Sequence, residues 1–424
     1  MHKFITITAQ NYFSSYHGIP MPCWRDILFN LVNSISVGVC FFLSLYFVDD
    51  LHLSMVVAGV LMSSYGIGTV IGGVLSGKLC DSFSPYLILV LSLILQGTAF
   101  IFLVTFNSIE SLIAILFMLG VSTYSFKTAN NVSMLSHCCG NQGLHLKTIN
   151  ISHAASNFGL GISGIAVGVL AAYGYTCIFS SAGAILLLSA LYMLVIKERS
   201  ASPVIFDRMK QHAASESDGG VGMRNINVLL LVLASIFFVG LIIAQLGSTY
   251  PVYVKEAFPA LGTKAVSALF ILDTVLIVLF QAPLANYYGR YNTVLVMGLG
   301  AFMMGLGMLV LSFSSTFSLA MVSCGIWTTG EMLFIPTAQL LCYQNGNSRR
   351  KGQSMGVFQS TFAVSTVVGP TIGGYIYSVI SPNAVWYISL VIGILCMTSC
   401  MLMMHRNNNL SFSRQLSGDT YASS

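Results

Sequence analysis

Asn225-Ile-Asn-Val-Leu-Leu-Leu-Val-Leu-Ala-Ser-Ile-Phe-Phe-Val-Gly-Leu-Ile-Ile-Ala-Gln-Leu-Gly-Ser248 decides the fold of this chain. It holds no ionisable residue, and it exceeds the roughly 20 helical residues needed to span a hydrocarbon core about 30 Å thick. Working outward in both directions, eleven further segments of the same kind appear. Before it lie Ile27–Val48, Ser54–Gly77, Tyr86–Val104, Ser111–Leu135, Thr148–Tyr173 and Tyr175–Ile196. After it come Ala265–Tyr287, Thr293–Phe313, Phe317–Tyr343, Ser354–Ser378 and Ala384–Met404. The twelve form two sets of six, divided by residues 197–224, the only long polar stretch inside the chain.

Composition agrees with that division. Hydrophobic residues make up 55% of the chain and charged residues 7%, with a mean hydropathy of +0.81. Soluble domains carry about a quarter charged residues, so a soluble fold is excluded. Apolar runs this long suit helices, which satisfy their backbone groups internally, and not the short alternating strands of a barrel. The expected fold is all-α and integral to the membrane: twelve transmembrane helices in two six-helix bundles, 27–196 and 225–404. A cytoplasmic segment (1–26) precedes them, a cytoplasmic linker (197–224) joins them, and a disordered cytoplasmic tail (405–424) follows.

Every lysine and arginine among the 18, except Lys127, Lys255 and Lys264, falls on one side of this arrangement. By the positive-inside rule that side is cytoplasmic and holds both termini. The net charge of +5 therefore reflects loops at a bilayer and does not point to nucleic acid. Met1 to Asp26 lacks a short apolar core with a small-residue cleavage site, so no cleaved signal peptide is expected. Most of the ten cysteines lie in apolar segments or at the reducing face, which argues against disulfides. His137, Cys138 and Cys139 have no second pair at ligand spacing, so no metal is expected. Phosphate-cradling loops, dinucleotide fingerprints and hydrolase elbows are missing from the sequence, so neither an enzyme nor a cofactor is expected.

One loop occurs twice. Gly77-Lys-Leu-Cys-Asp-Ser-Phe-Ser-Pro85 follows the second segment, and Ala282-Pro-Leu-Ala-Asn-Tyr-Tyr-Gly-Arg290 follows the eighth. The first resembles the signature G-x-L-A-D-R-x-G-R of the major facilitator superfamily at Gly77, Leu79 and Asp81. The second resembles it at Leu284, Ala285, Gly289 and Arg290, with Asn286 in place of the aspartate. The resemblance implies two halves related by internal repeats, alternating access, and a solute bound near the midplane between them. It also implies a gating role for Gly77, Asp81, Gly289 and Arg290. Gly68 with Gly72, Gly73 with Gly77, Gly164 with Gly168, and the run Gly369-Pro-Thr-Ile-Gly-Gly374 place small residues where helices approach closely. That last run is similar to the end of the drug:proton antiporter motif, although in this chain it stands in the eleventh segment and not the fifth.

Three ionisable residues lie inside the segments: Lys127, Asp273 and Glu331. Each costs about 2.5–3.5 kcal/mol on insertion scales, so such groups face a cavity or one another. Lys127 and Glu331 sit at similar depth in the fourth and tenth segments, which correspond under the repeat. They are expected to form a switchable ion pair across the cavity, with Glu331 as proton carrier; Asp273 reads as a second proton site, or else as an extracellular gate or a partner for Lys264 or Tyr250. His153 reads as a satisfied interfacial histidine. Ser125-Phe-Lys-Thr-Ala-Asn130, Asn157-Phe-Gly159 and Gly330-Glu-Met-Leu-Phe-Ile-Pro336 are similar to stretches of the proton-dependent oligopeptide transporters. In that family the lysine and glutamate contribute to proton coupling and to binding of substrate termini. The acidic-and-arginine motif of that family's first helix is missing here. Asn33, Tyr65, Tyr124, Asn130, Asn157, Gln245, Trp327 and Gln359 are the candidate cavity residues.

The sequence therefore leads us to expect a proton-coupled secondary transporter, most simply exporting a metabolite or toxic compound. Its partners would be a small-molecule substrate, protons and the bilayer, with the chain a monomer in a bacterial inner membrane. Uptake of peptides or amino acids is the alternative, followed by a uniporter or a receptor that does not transport.

Overall fold

The computed structural model describes residues 16–43, 46–138, 142–170, 173–196, 226–347 and 350–419. The charged linker and most of the N-terminal segment lie outside the described residues. Among the described residues twelve long helices follow in order: α1 (Met21–Val37), α2 (Met55–Ser82), α3 (Pro85–Thr105), α4 (Ile109–Ser136), α5 (Gln142–Leu170) and α6 (Tyr175–Ile196). The second half holds α7 (Ile226–Leu246), α8 (Thr263–Tyr288), α9 (Thr293–Ser312), α10 (Phe317–Asn345), α11 (Lys351–Tyr375) and α12 (Pro382–Asp419). A short helix, Thr249–Ala257, continues α7 after a break. Ten of these helices are long and apolar enough to cross a membrane. The other two are α1, which breaks after Val37 into a tight turn at Gly38–Phe42, and α5, whose first half carries Asn150, Ser152, His153, Ser156 and Asn157. The last helix runs to Asp419, so residues 405–419 are helical where the sequence suggests a disordered tail.

Local chemistry sets the helix ends. Ser54, Ser108, Asn292 and Thr316 each accept a bond from a backbone N–H of the first turn, satisfying a donor that the helix leaves orphaned. Pro85 occupies the first turn of α3, where its missing N–H costs nothing. Connections of two or three residues, such as Phe83–Ser84 and residues 106–108, force antiparallel neighbours.

Glycines decide which helices touch. Gly68 and Gly72 lie against the α4 backbone at Phe117 and Val121, while Gly73 and Gly77 lie against α11 at Gly356, Ser360 and Gly352. One stripe of α2 thus packs within its own half and a neighbouring stripe packs on the opposite half. Gly164 differs from expectation, because a Cβ there would meet nothing within 4 Å. A Cβ on Gly72 would run into the Val121 backbone, whereas one on Gly59 of the same helix would meet nothing. Gly72→Val should therefore cost about 1–3 kcal/mol of stability, read as a lower melting temperature in detergent, with Gly59→Val unchanged.

The two halves meet along two seams, α2 on α11 and α5 on α8. Lys78, Lys147, Arg290 and Lys351 mark one end of the bundle, here called the basic end.

Candidate functional site

At the α2–α11 seam, Asp81 ends α2 and points into the first turn of α11. Its two carboxylate oxygens accept from Gly352 N at 2.7 Å and Gln353 N at 2.9 Å. An acidic group there neutralises the positive end of the helix dipole and two orphaned donors together. Gly77 makes this possible: a Cβ on it would stand 2.8 Å from the Gly352 carbonyl. About two and four turns further along α11, Ser360 Oγ donates to the Val70 carbonyl at 2.8 Å, and Thr366 lies beside the Tyr124 hydroxyl.

The α5–α8 seam closes by different chemistry. The Tyr288 hydroxyl donates to Asn150 Oδ1 at 2.8 Å, and Gln281 Nε2 donates to the same oxygen. Gln281 Nε2 also reaches the Met332 carbonyl of α10 at 3.0 Å. Gly289 caps α8 and lies near Leu146, whereas Arg290 is exposed. The duplicated loops are thus unequal. The first supplies a charged latch through Asp81, and the second half closes through Tyr288 and Gln281 upstream of Gly289. The bonds of Asp81 and Tyr288 sit toward the basic end, with the Ser360 and Thr366 contacts nearer mid-helix, so this conformation is closed at the basic end.

Deeper in, Glu331 of α10 is 8% exposed and meets the opposite half. Its Oε1 lies 3.5 Å from Nε2 of His153 on α5. Asp273 of α8, also 8% exposed, accepts from Thr328 Oγ1 at 2.8 Å and stands close enough to Glu331 for their charges to interact. Lys127 is half-buried on α4 with its Nζ 5.0 Å over the Tyr124 ring. No carboxylate lies within ion-pair distance of Lys127 among the described residues. The expected Lys127–Glu331 pair is therefore not made in this conformation, and the partner of Glu331 is His153. Similar depth along two helices does not make side chains meet; the rotation of each helix about its axis decides that.

Several candidate cavity residues are held within one half. Asn33 Nδ2 donates to Gln96 Oε1 at 2.8 Å, and Gln96 in turn donates to the Ser122 carbonyl, tying α1, α3 and α4. Gln245 bridges α7 to the Gly369 carbonyl of α11 at 2.9 Å and accepts from Thr249 Oγ1. Trp327 is fully buried against Tyr250, with ring centroids 6.2 Å apart. Asn130 is buried with neither amide atom bonded, and Gln359 is buried on α11. Tyr65 lies beside Cys40, Thr123 and Tyr124, next to Lys127. Asn157 stands one turn from His153, 3.4 Å from its Nε2. Lys127, Tyr65 and Tyr124 from the N-terminal half, His153 and Asn157 at the seam, and Asp273 and Glu331 from the C-terminal half are thus the polar groups nearest the midplane.

The sequence reading passed over Asn150, Gln281 and Tyr288 and set His153 aside. A signal was present: Asn150, His153 and Asn157 follow spacings of three and four, which put them on one helix face.

A second polar cluster lies at the basic end of the first half. Buried Asp26 accepts from Ser133 Oγ at 2.8 Å and pairs with Arg25 at 3.5 Å, with His137 at 3.8 Å. Burial and the nearby Arg25 charge push His137 down to about 4, so it stays neutral at ordinary pH. The cluster ties α1 to α4 and does not reach the midplane.

Known proteins bear on this geometry. Bacillus subtilis multidrug transporter protein MdtP is 24% identical over 178 residues, 42% of this chain. That stretch spans 32% of MdtP, and a match to the uncharacterized MFS-type transporter MJ1560 of Methanocaldococcus jannaschii spans 30% of that protein. The uncharacterized MFS-type transporter YttB of Bacillus subtilis is 22% identical over 337 residues, covering 78% of this chain and 82% of its own. Among solved structures, the human organic anion transporter MFSD10 superposes with a TM-score of 0.71 at 13% identity, covering 89% of this chain and 98% of that one. The proton:xylose symporter XylE superposes at 0.69 and 15% identity, covering 91% and 95%. A family model described as Major Facilitator Superfamily matches residues 27–364, and the chain accordingly belongs to that superfamily, as a multi-pass membrane protein.

Proposed function

We propose that the chain is a proton-coupled transporter working by alternating access, with Glu331 as the group whose protonation is coupled to movement of the halves. The observation that carries this reading is the position of Glu331: a carboxylate 8% exposed, near the midplane, paired with a side chain of the opposite half. A buried ion pair broken on one side leaves an uncompensated charge, at a cost of about 3–5 kcal/mol. Protonation state and the relative position of the halves are therefore energetically linked. Asp273 is close enough to influence that equilibrium. The neighbours described as proton:xylose and fucose:proton symporters support coupling to protons.

Export of a metabolite or toxic compound is the leading direction, supported by the relative named as a multidrug transporter. Lys127 favours a second reading, because a cation without a carboxylate partner suits a solute with an anionic group, as in peptides or amino acids. The basic end is taken as cytoplasmic, in a bacterial inner membrane, with the protein acting as a monomer.

The test is proton movement in proteoliposomes holding a pH dye, screened with dipeptides, amino acids and cationic dyes. One compound should drive proton flux in the wild type, its direction separating export from uptake, and Glu331→Gln should lose that flux. Equal solute flux in both proteins without proton movement would leave a uniporter.

A further inference from the structure

The imidazole of His153 is held from two sides by the opposite half. Nε2 faces Glu331 Oε1 of α10 at 3.5 Å, and Nδ1 faces Gln281 Oε1 of α8 at 3.4 Å. The network fixes which amide atom of Gln281 points at the ring. Its Nε2 is committed to the Met332 carbonyl and to Asn150 Oδ1, leaving only its oxygen for Nδ1. Asn150 is fixed in the same way: its Nδ2 donates to the Leu146 carbonyl at 2.7 Å, and its oxygen accepts from Tyr288. With Glu331 ionised, both ring nitrogens thus have an acceptor within reach, and both contacts become hydrogen bonds when each nitrogen carries a hydrogen, as in the imidazolium; a protonated Glu331 would instead donate to the neutral Nε2.

The neutral ring has a partner ready as well. Asn157 Nδ2 lies 3.4 Å from Nε2 and donates to that nitrogen once its proton has left. Asn157 belongs to α5, the same helix as His153. Loss of the proton therefore exchanges a bond between the halves for one within a single helix.

We propose that His153 shares the coupled proton with Glu331, and that the protonated ring beside the ionised carboxylate holds the α5–α8 seam closed at the basic end. This rests on the proton-coupled reading of Glu331 above. The step is a simple proton transfer: a proton from water in the cavity adds to the Nε2 lone pair, and later returns to water from the same atom. The N–H bond forms as one O–H bond of a hydronium ion breaks, leaving water, and the reverse occurs on release; no other covalent bond changes.

Few charged or titratable groups surround the ring. Facing the pair are Asp273 from α8 and, one turn beyond Thr328, Cys324 of α10. From α1, the neutral side chains of Asn30 and Ser34 bond to Ser152 and Ser156 of α5. Asp26 of α1 lies a turn beyond Asn30 toward the basic end and is occupied by Ser133 and Arg25. Helices α7 and α9 carry no titratable residue.

Hydrogen–deuterium exchange of the full chain in nanodiscs tests this, following seam peptides 142–152 and 281–292 between pH 5.5 and 8.5 after correction for intrinsic rates. In the wild type, protection of both peptides should fall by at least about tenfold through one transition as pH rises, the effect of losing one charge-assisted bond. In His153→Gln the transition should vanish. In His153→Lys, which keeps a charge, the seam should stay protected at the alkaline end; this variant decides the matter even where His153→Gln fails to fold. A wild-type transition persisting in His153→Gln, or none in the wild type, overturns the proposal. If His153→Gln also keeps solute-driven proton flux while Glu331→Gln loses it, His153 is excluded and Glu331 stands. Flux surviving in Glu331→Gln instead removes the coupling reading itself.

Discussion

Lys127→Met is expected to melt at a higher temperature than the wild type while transporting almost nothing. The two effects have one cause. Lys127 sits inside a spanning helix with its Nζ over the Tyr124 ring and no carboxylate at ion-pair distance among the described residues. A charge at such a depth costs about 2.5–3.5 kcal/mol on insertion scales, and contact with the aromatic face returns about 0.5–2 kcal/mol of that. Methionine fills a similar volume with neither charge nor desolvation, so the net gain is on the order of 1–2 kcal/mol. If Lys127 meets an anionic group of the solute, the loss on binding is far larger: removing one partner of a desolvated charge pair costs about 2–5 kcal/mol. That corresponds to roughly 30-fold to several-thousand-fold in affinity. Lys127→Arg keeps the charge but changes reach and planarity, and should fall between. Melting in detergent and solute flux in proteoliposomes, run on the same preparation, separate the two effects. A variant that melts lower would mean that Lys127 is paired with a carboxylate in the resting protein, the arrangement the sequence suggests and this conformation lacks.

That contrast shows what the sequence makes legible. Segment length and hydropathy determine membrane crossing, and both are read directly from stretches such as 225–248. The two copies of the α2–α3 and α8–α9 loop reveal the repeat, because corresponding loops fall at the same place in each half. Side-chain partners are another matter. Each helical residue advances about 100° around the axis, so depth can be counted along the chain while facing direction depends on packing. Lys127 and Glu331 match in depth and still do not meet. Asn33, Gln245 and Trp327 look like cavity residues because polar or amphipathic groups are rare in apolar helices. Each is in fact satisfied or packed inside its own bundle, through Gln96, Gly369 and Tyr250. Asn150, His153 and Asn157 were recoverable in principle, since three polar residues on one face of a membrane helix need either a cavity or a neighbour. Their neighbours, Gln281 and Tyr288, belong to the other half and became visible only with the fold.

Asp81→Ala should open the basic end. Asp81 bonds two backbone donors of α11, Gly352 N and Gln353 N, from the opposite half. Bonds to charged groups are worth about 1.5–3 kcal/mol each, but water replaces part of that at this half-buried position, so the closed state loses about 2–3 kcal/mol. The ratio of closed to open molecules then falls roughly 30-fold or more. Tyr288→Phe at the other seam removes one neutral bond to Asn150, worth about 1 kcal/mol, and should shift the same ratio about fivefold. Arg290→Ala should shift it little, because Arg290 is exposed here. The protein carries its own reporter. Cys80 is 3% exposed, and its Cβ lies 2.9 Å from where a Cβ on Gly352 would stand, so closing of α2 on α11 covers it. Maleimide modification of Cys80, followed by peptide mass spectrometry and normalised to each unfolded variant, reads opening directly. Normalisation is needed because removing the neighbouring Asp81 charge also changes the reactivity of the thiol itself. Labelling should accelerate in the order Arg290→Ala, Tyr288→Phe, Asp81→Ala. An unchanged rate in Asp81→Ala would mean that glycine packing between α2 and α11 closes the seam without the charged latch, and that Asp81 serves only to cap α11.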